Sequence, residues 1–114
     1  MLASDVIDRA RLAINDQDEA NYRWPNETML IYLNDAIQDA ASRRPELTLT
    51  EGGATVDFPT VMELTDSIGL DAHLTPALAD YVAHRALGSD DADTANATMA
   101  AEHFERYLLV LHGG

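Results

Sequence analysis

Neither cysteine nor lysine occurs among the 114 residues. Without cysteine there are no disulfides, no thiolate metal sites and no thiol nucleophile. Without lysine there is no phosphate-binding loop of the Walker type and no Schiff-base chemistry. No serine sits in a Gly-x-Ser-x-Gly elbow, so that nucleophile is absent as well. None of the four histidines forms a His-x-x-x-His pair, and none follows a glutamate by three residues as in di-iron bundles. Long apolar runs are missing too: the longest, Tyr107 to Leu111, is far too short to span a bilayer. Met1-Leu2-Ala3-Ser4-Asp5 lacks a basic region followed by an apolar one, so no signal peptide is expected. A soluble protein made inside the cell, without cofactor or metal, is the resulting expectation.

At 12.5 kDa the chain has the length of one domain, residues 1–114, and folding can bury about 65% of its extended surface. A hydrophobic content of 46% excludes wholesale disorder. The formal net charge is −13, and all seven basic residues are arginine. Between Pro45 and Arg85 there is no lysine or arginine but seven acids: Glu46, Glu51, Asp57, Glu63, Asp66, Asp71 and Asp80. Nucleic-acid affinity comes from Lys and Arg on phosphates, so such a chain is repelled by DNA. The acids are either a solubilising surface or a surface that DNA must pass without sticking.

The hydrophobic pattern predicts four helices. The first is capped by Ser4 and runs to about Ile14, with Val6, Ile7, Ala10, Ala13 and Ile14 inward and Arg9 and Arg11 mostly outside. The second begins near Asn26 to Thr28 and reaches Ser42 or Arg43, with Met29, Leu33, Ala36, Ile37 and Ala40 inward; Pro45 ends it. In the third, Thr75 caps, Pro76 takes the first position, Leu78, Tyr81, Val82, Arg85 and Ala86 share a face, and Gly88 stops it. The fourth starts at Ser89, Asp90 or Asp91 and turns Ala97, Ala101, Phe104, Leu108 and Leu111 inward. Between the second and third helices the period drops to two. Leu47 to Thr50 and Thr55 to Phe58 flank Gly52-Gly53, which predicts a short β-hairpin over about 46–60. Thr60 to Ala72 reads either as a capped helical turn or as an extended strand beside the hairpin. The fold class is mainly α: a bundle of four helices with a short hairpin.

Few residues suggest chemistry. Asp80 and His84 lie one helical turn apart, a spacing that can orient a base but more often makes a surface hydrogen bond; His103 reads as a boundary residue. Asp16, Asp18 and Glu27 occupy positions one, three and twelve of a calcium-loop outline, although Asn21 stands where the glycine belongs. Trp24, the only tryptophan, is either a staple packed against the second helix or, with Tyr22 and Arg23, an anchor at a protein interface. The tail Tyr107, Leu108, Leu109, Val110 and Leu111 is apolar on every side, which suggests burial against a neighbouring chain.

Tyr22-Arg23-Trp24-Pro25-Asn26-Glu27-Thr28, then Leu30 and Tyr32-Leu33-Asn34-Asp35-Ala36, resembles the front half of the adaptor proteins of tailed bacteriophages. Thr75 to Leu87 is similar to a second signature of that family, and Asp91 to Phe104 to its closing helix. The departure is the short middle, residues 45–74, where family members often carry a longer β-rich insertion. The resemblance implies a structural virion protein without enzymatic activity, a head-to-tail connector in the neck of the particle, assembled in the host cytoplasm. It implies a homo-oligomeric ring of about twelve copies between the portal protein and the next tail or neck component. DNA passes through without being bound specifically, and no membrane is involved. Glu46, Glu51, Asp57, Glu63, Asp66 and Asp71 are then candidates for an acidic lumen. Two other functions fit parts of the pattern: an acidic DNA mimic that inhibits a DNA-binding protein, and a calcium-responsive helical module.

Overall fold

The computed structural model describes residues 1–48, 60–89 and 94–113. These form four helices, α1 (Ala3–Ala13), α2 (Asn26–Arg43), α3 (Thr75–Gly88) and α4 (Thr94–Leu111), with single 3-10 turns at Glu19–Asn21, Pro45–Thr48 and Ala72–Leu74. No helix among the described residues is long and apolar enough to cross a membrane.

α3 is the central element and packs against α1, α2 and, most extensively, α4. Its composition explains this position. Ala77, Leu78, Ala79, Tyr81, Val82, Ala83, Ala86 and Leu87 are all buried, so the helix is apolar nearly all the way round, as a core helix must be. Arg85, expected on the inner stripe, is half-buried at its rim and reaches Asp35 of α2 at 3.0 Å. The inner face of α2 is the expected one: Met29, Leu33, Ala36, Ile37 and Ala40.

Several expectations are corrected. Pro45–Thr48 is a 3-10 turn, so the first arm of the hairpin does not begin at Leu47; the remainder, 49–59, lies outside the described residues. Among the described residues there is no strand, only an isolated antiparallel bridge between Leu2 and Ser67. Neither reading of 60–72 holds as a whole. This segment is an irregular strap that closes the start of α1: Ala3 N–H donates to the Asp66 carbonyl and Ser4 N–H to the Leu64 carbonyl, both at 2.9 Å. Those carbonyls satisfy amide groups that a helix start leaves without partners, so Ser4 lies inside the helix instead of capping it. Asn34 of α2 fixes the strap, accepting from Val61 N–H at 2.7 Å and donating to its carbonyl at 2.8 Å. Val61, Ile68 and Leu70 plug the core beneath.

Thr75 does not cap α3, because its hydroxyl donates to the Ala72 carbonyl at 2.7 Å; the preceding 3-10 turn is capped by Asp71, which accepts from His73 N–H. Candidate starts of α4 at Asp90 and Asp91 lie outside the described residues. The inner face of α4 is Ala100, His103, Tyr107 and Leu111, rotated from the expected one; Ala97 and Ala101 are exposed, while Phe104 and Leu108 are half-buried. Two polar side chains decide that rotation, and both find carboxylates on other helices.

Candidate functional site

The Trp24 turn is built from the end of α1. Asn15 adopts a left-handed backbone (φ 57°), with Asn15 N–H donating to the Leu12 carbonyl at 3.3 Å and Asp16 N–H to the Arg11 carbonyl at 2.9 Å. This Schellman closure turns Asp16 back onto the helix it has just left. One Asp16 oxygen accepts from Arg11 Nη1 at 2.6 Å and from Trp24 N–H at 3.2 Å; the other accepts from Arg23 N–H at 2.9 Å. Arg11 Nη2 donates to Asn26 Oδ1 at 2.8 Å, and the Tyr22 ring covers the guanidinium at 3.6 Å. Arg11 is 2% exposed, contrary to its expected outward position, and a buried cation needs such partners; of its donor nitrogens only Nε, itself buried, makes no hydrogen bond among the described residues. Trp24 is buried, and its Nε1–H donates at 3.1 Å to Ser89 Oγ, which donates in turn to the Ala86 carbonyl at the end of α3.

The same geometry answers the calcium outline. Both Asp16 oxygens face donors, Asp18 accepts from Ala20 N–H, and Glu27 is exposed on the first turn of α2. Among the described residues no three His, Asp or Glu side chains gather at one point as metal ligands.

Three of the eight candidate interface residues are withdrawn from the surface. Trp24, Tyr107 and Leu111 are buried within the chain; Tyr22, Leu108 and Val110 are half-buried; Arg23 and Leu109 are exposed, Leu109 at 66%. Tyr107 and Leu111 are sheltered, and two bonds pin that side of the tail to α2 and its end. Tyr107 O–H donates to Asp39 at 2.6 Å, and Arg44 Nη1 donates to the Leu111 carbonyl at 2.8 Å. Burial, then the hydrogen bond to Asp39, push the Tyr107 hydroxyl far above the ordinary tyrosine range. Of the lumen candidates, Glu51 and Asp57 lie outside the described residues. Glu46 pairs with Arg44 at 2.7 Å, Asp66 accepts from the Met62 and Glu63 N–H groups, and Asp71 caps the turn before α3. The hydrogen bonds from Arg44 and from His73 N–H hold the Glu46 and Asp71 carboxyls below their usual range. Glu63 is exposed.

Asp80 and His84 do not pair. His84 Nδ1 meets the Ala100 carbonyl at 3.1 Å and its ring packs on Phe104, whereas Asp80 Oδ1 meets His103 Nδ1 at 2.8 Å. The Asp80–His103 pair is almost wholly buried between α3 and α4 and borders a groove of 510 Å³. Arg9, Leu12 and Ala13 of α1 form one wall, Pro76 and Ala79 of α3 the floor, and Arg106 of α4 the other wall. The lining offers a carboxylate-backed imidazole, two guanidinium groups and apolar carbon, with no hydroxyl or thiol beside the histidine. Such a set binds anions more readily than it performs nucleophilic chemistry. Sequence reasoning missed this grouping because its members come from three helices; the only signal was the 100, 103, 107, 111 spacing, which admits His103 to the core.

No family model, no curated protein and no solved structure matches the chain.

Proposed function

We propose that this chain is a structural subunit of a bacteriophage head-to-tail connector, working as a ring of about twelve copies between portal and tail with DNA passing through the lumen. The observation that carries the reading is where the residues behind the resemblance fall. Trp24 bonds to Ser89, Asn34 to Val61 and Asp35 to Arg85, joining positions 65, 27 and 50 residues apart. These motif residues therefore act as cross-ties of one helical scaffold. A likeness in such residues is a likeness in architecture, and a connector needs architecture before chemistry.

Two further features support it. The charge of −13 holds a passing polyanion off the wall. Ile31 of α2 and Leu109 of α4 stay 59% and 66% exposed, giving neighbouring copies apolar contacts on different helices; ring symmetry multiplies such contacts. With Tyr107 and Leu111 turned inward, the tail contributes Leu109 as its main exposed apolar contact. A native mass measurement on the protein alone, and mixed with portal rings, tests the reading. A ring in either condition is expected; a monomer in both would remove its basis.

A further inference from the structure

The seven arginines are not used alike. Arg11, Arg43, Arg44 and Arg85 each hold a carboxylate at 2.6 to 3.0 Å. Arg9 has no ion pair within 4.0 Å among the described residues, although acids outnumber bases by thirteen. Asp5, its natural partner one turn earlier, accepts instead from Leu2 N–H at 2.8 Å. Arg106 meets Glu102 only at 4.0 Å, with both side chains more than half exposed, which is a weak tie. These two guanidinium groups line the groove between α1, α3 and α4, beside His103 and an Asp80 carboxylate that already meets the His103 ring at 2.8 Å.

Apolar surface adjoins them. Leu12 is 64% exposed on the groove's α1 wall, and Leu109 follows Arg106 by three positions on α4, hence on a neighbouring part of the same face. A small carboxylate would leave both leucines in water. A nucleic acid would bring its phosphates to two arginines on a chain that repels it everywhere else.

From this complementarity we propose that the groove docks an acidic, apolar peptide segment of a partner protein. Arg9 and Arg106 take a side-chain carboxylate, and an adjacent aliphatic side chain covers Leu12 and Pro76. Charge supplies the selection for Asp or Glu, and apolar contact supplies most of the affinity. The assignment stands on the groove itself and does not require the connector reading.

The test is an amide NMR titration of the full chain at low salt with acetyl-Leu-Glu-Leu-Glu-Leu-amide and its glutamine counterpart. Shifts are expected at Arg9 to Ala13, Ala77 to Asp80 and His103 to Leu109, with the glutamate peptide binding roughly fivefold tighter. The double variant Arg9→Gln/Arg106→Gln should erase that preference while the chain stays folded, since both side chains are exposed; any small fall in thermal midpoint from the two lost positive charges should vanish at about 0.5 M salt. Equal binding of the two peptides, shifts confined to other surfaces, or no binding up to about 5 mM would overturn the proposal. So would sedimentation showing self-association without peptide that the double variant abolishes, because the groove would then belong to a second copy.

Discussion

Arg11 and Asp16 form the most consequential contact of the chain at the scale of single residues. The pair is shut away from water at 2.6 Å, and the carboxylate also holds the Arg23 and Trp24 amides. Removing one member leaves the other charged and buried. Asp16→Ala is therefore expected to destabilise by about 3–5 kcal/mol in urea unfolding. Trp24, the sole tryptophan, reports on the same turn, so its emission should also shift before the main transition if the turn opens first. Asn15 gives a gentler test. At φ 57°, glycine in its place should be neutral or slightly stabilising, while alanine should cost about 1 kcal/mol in the same measurement.

Between elements, the α3–α4 contact is lined with polar side chains that hydrophobicity alone would have kept outside. His103 reaches Asp80, and His84 reaches the Ala100 carbonyl. Burial, with smaller contributions from Arg85 and His103, lowers the His84 pKa from its ordinary 6.5; the Ala100 carbonyl and Asp39 oppose this. The unfolded chain thus takes up a proton near pH 6.5 that the folded chain still refuses. His84 contributes no pH dependence above that value, and stability is lost as pH falls from it through the lowered one. Unfolding midpoints at pH 7.5 and 5.5 should show a smaller fall for His84→Gln than for the parent. An equal fall would mean that this ring is not responsible. Tyr107 belongs to the same layer: Tyr107→Phe leaves Asp39 with Arg43 alone and should cost about 1.5–3 kcal/mol in urea unfolding, as expected for a hydrogen bond to a charged group.

For the whole molecule, the excess of thirteen acids makes self-repulsion a standing cost to compactness. Short arginine–carboxylate contacts at Arg11, Arg43, Arg44 and Arg85 offset it locally, but salt screens the remainder over about 10 Å at 0.1 M. The thermal midpoint should therefore rise between low salt and about 0.5 M sodium chloride, opposite to a fold held chiefly by surface ion pairs. The same charge gives the Arg9 and Arg106 groove its selectivity, since a cationic recess on an acidic body favours short acidic segments over long polyanions.

Much of the architecture was legible in one dimension. Apolar residues three and four apart on α2 must share a face whatever packs against it, so its five buried positions follow from spacing alone. The limits of α2, the end of α3 near Gly88 and the mainly helical class are equally local, whereas the start of α1 depends on the distant Leu64 and Asp66 carbonyls. What lay beyond reach were the polar groups that are buried because something distant completes them. Arg11 turns inward only because a Schellman turn returns Asp16 to it, and His103 and Tyr107 only because Asp80 and Asp39 wait on other helices. Hydrophobic spacing is a property of one segment, whereas the cost of burying a charge or a ring nitrogen depends on partners that only the packed chain supplies. For that reason the sequence by itself determined the helices and the inner face of α2. The tertiary structure alone decided which way α4 turned, why Tyr107 and Leu111 lie sheltered, and where two arginines were left facing a groove.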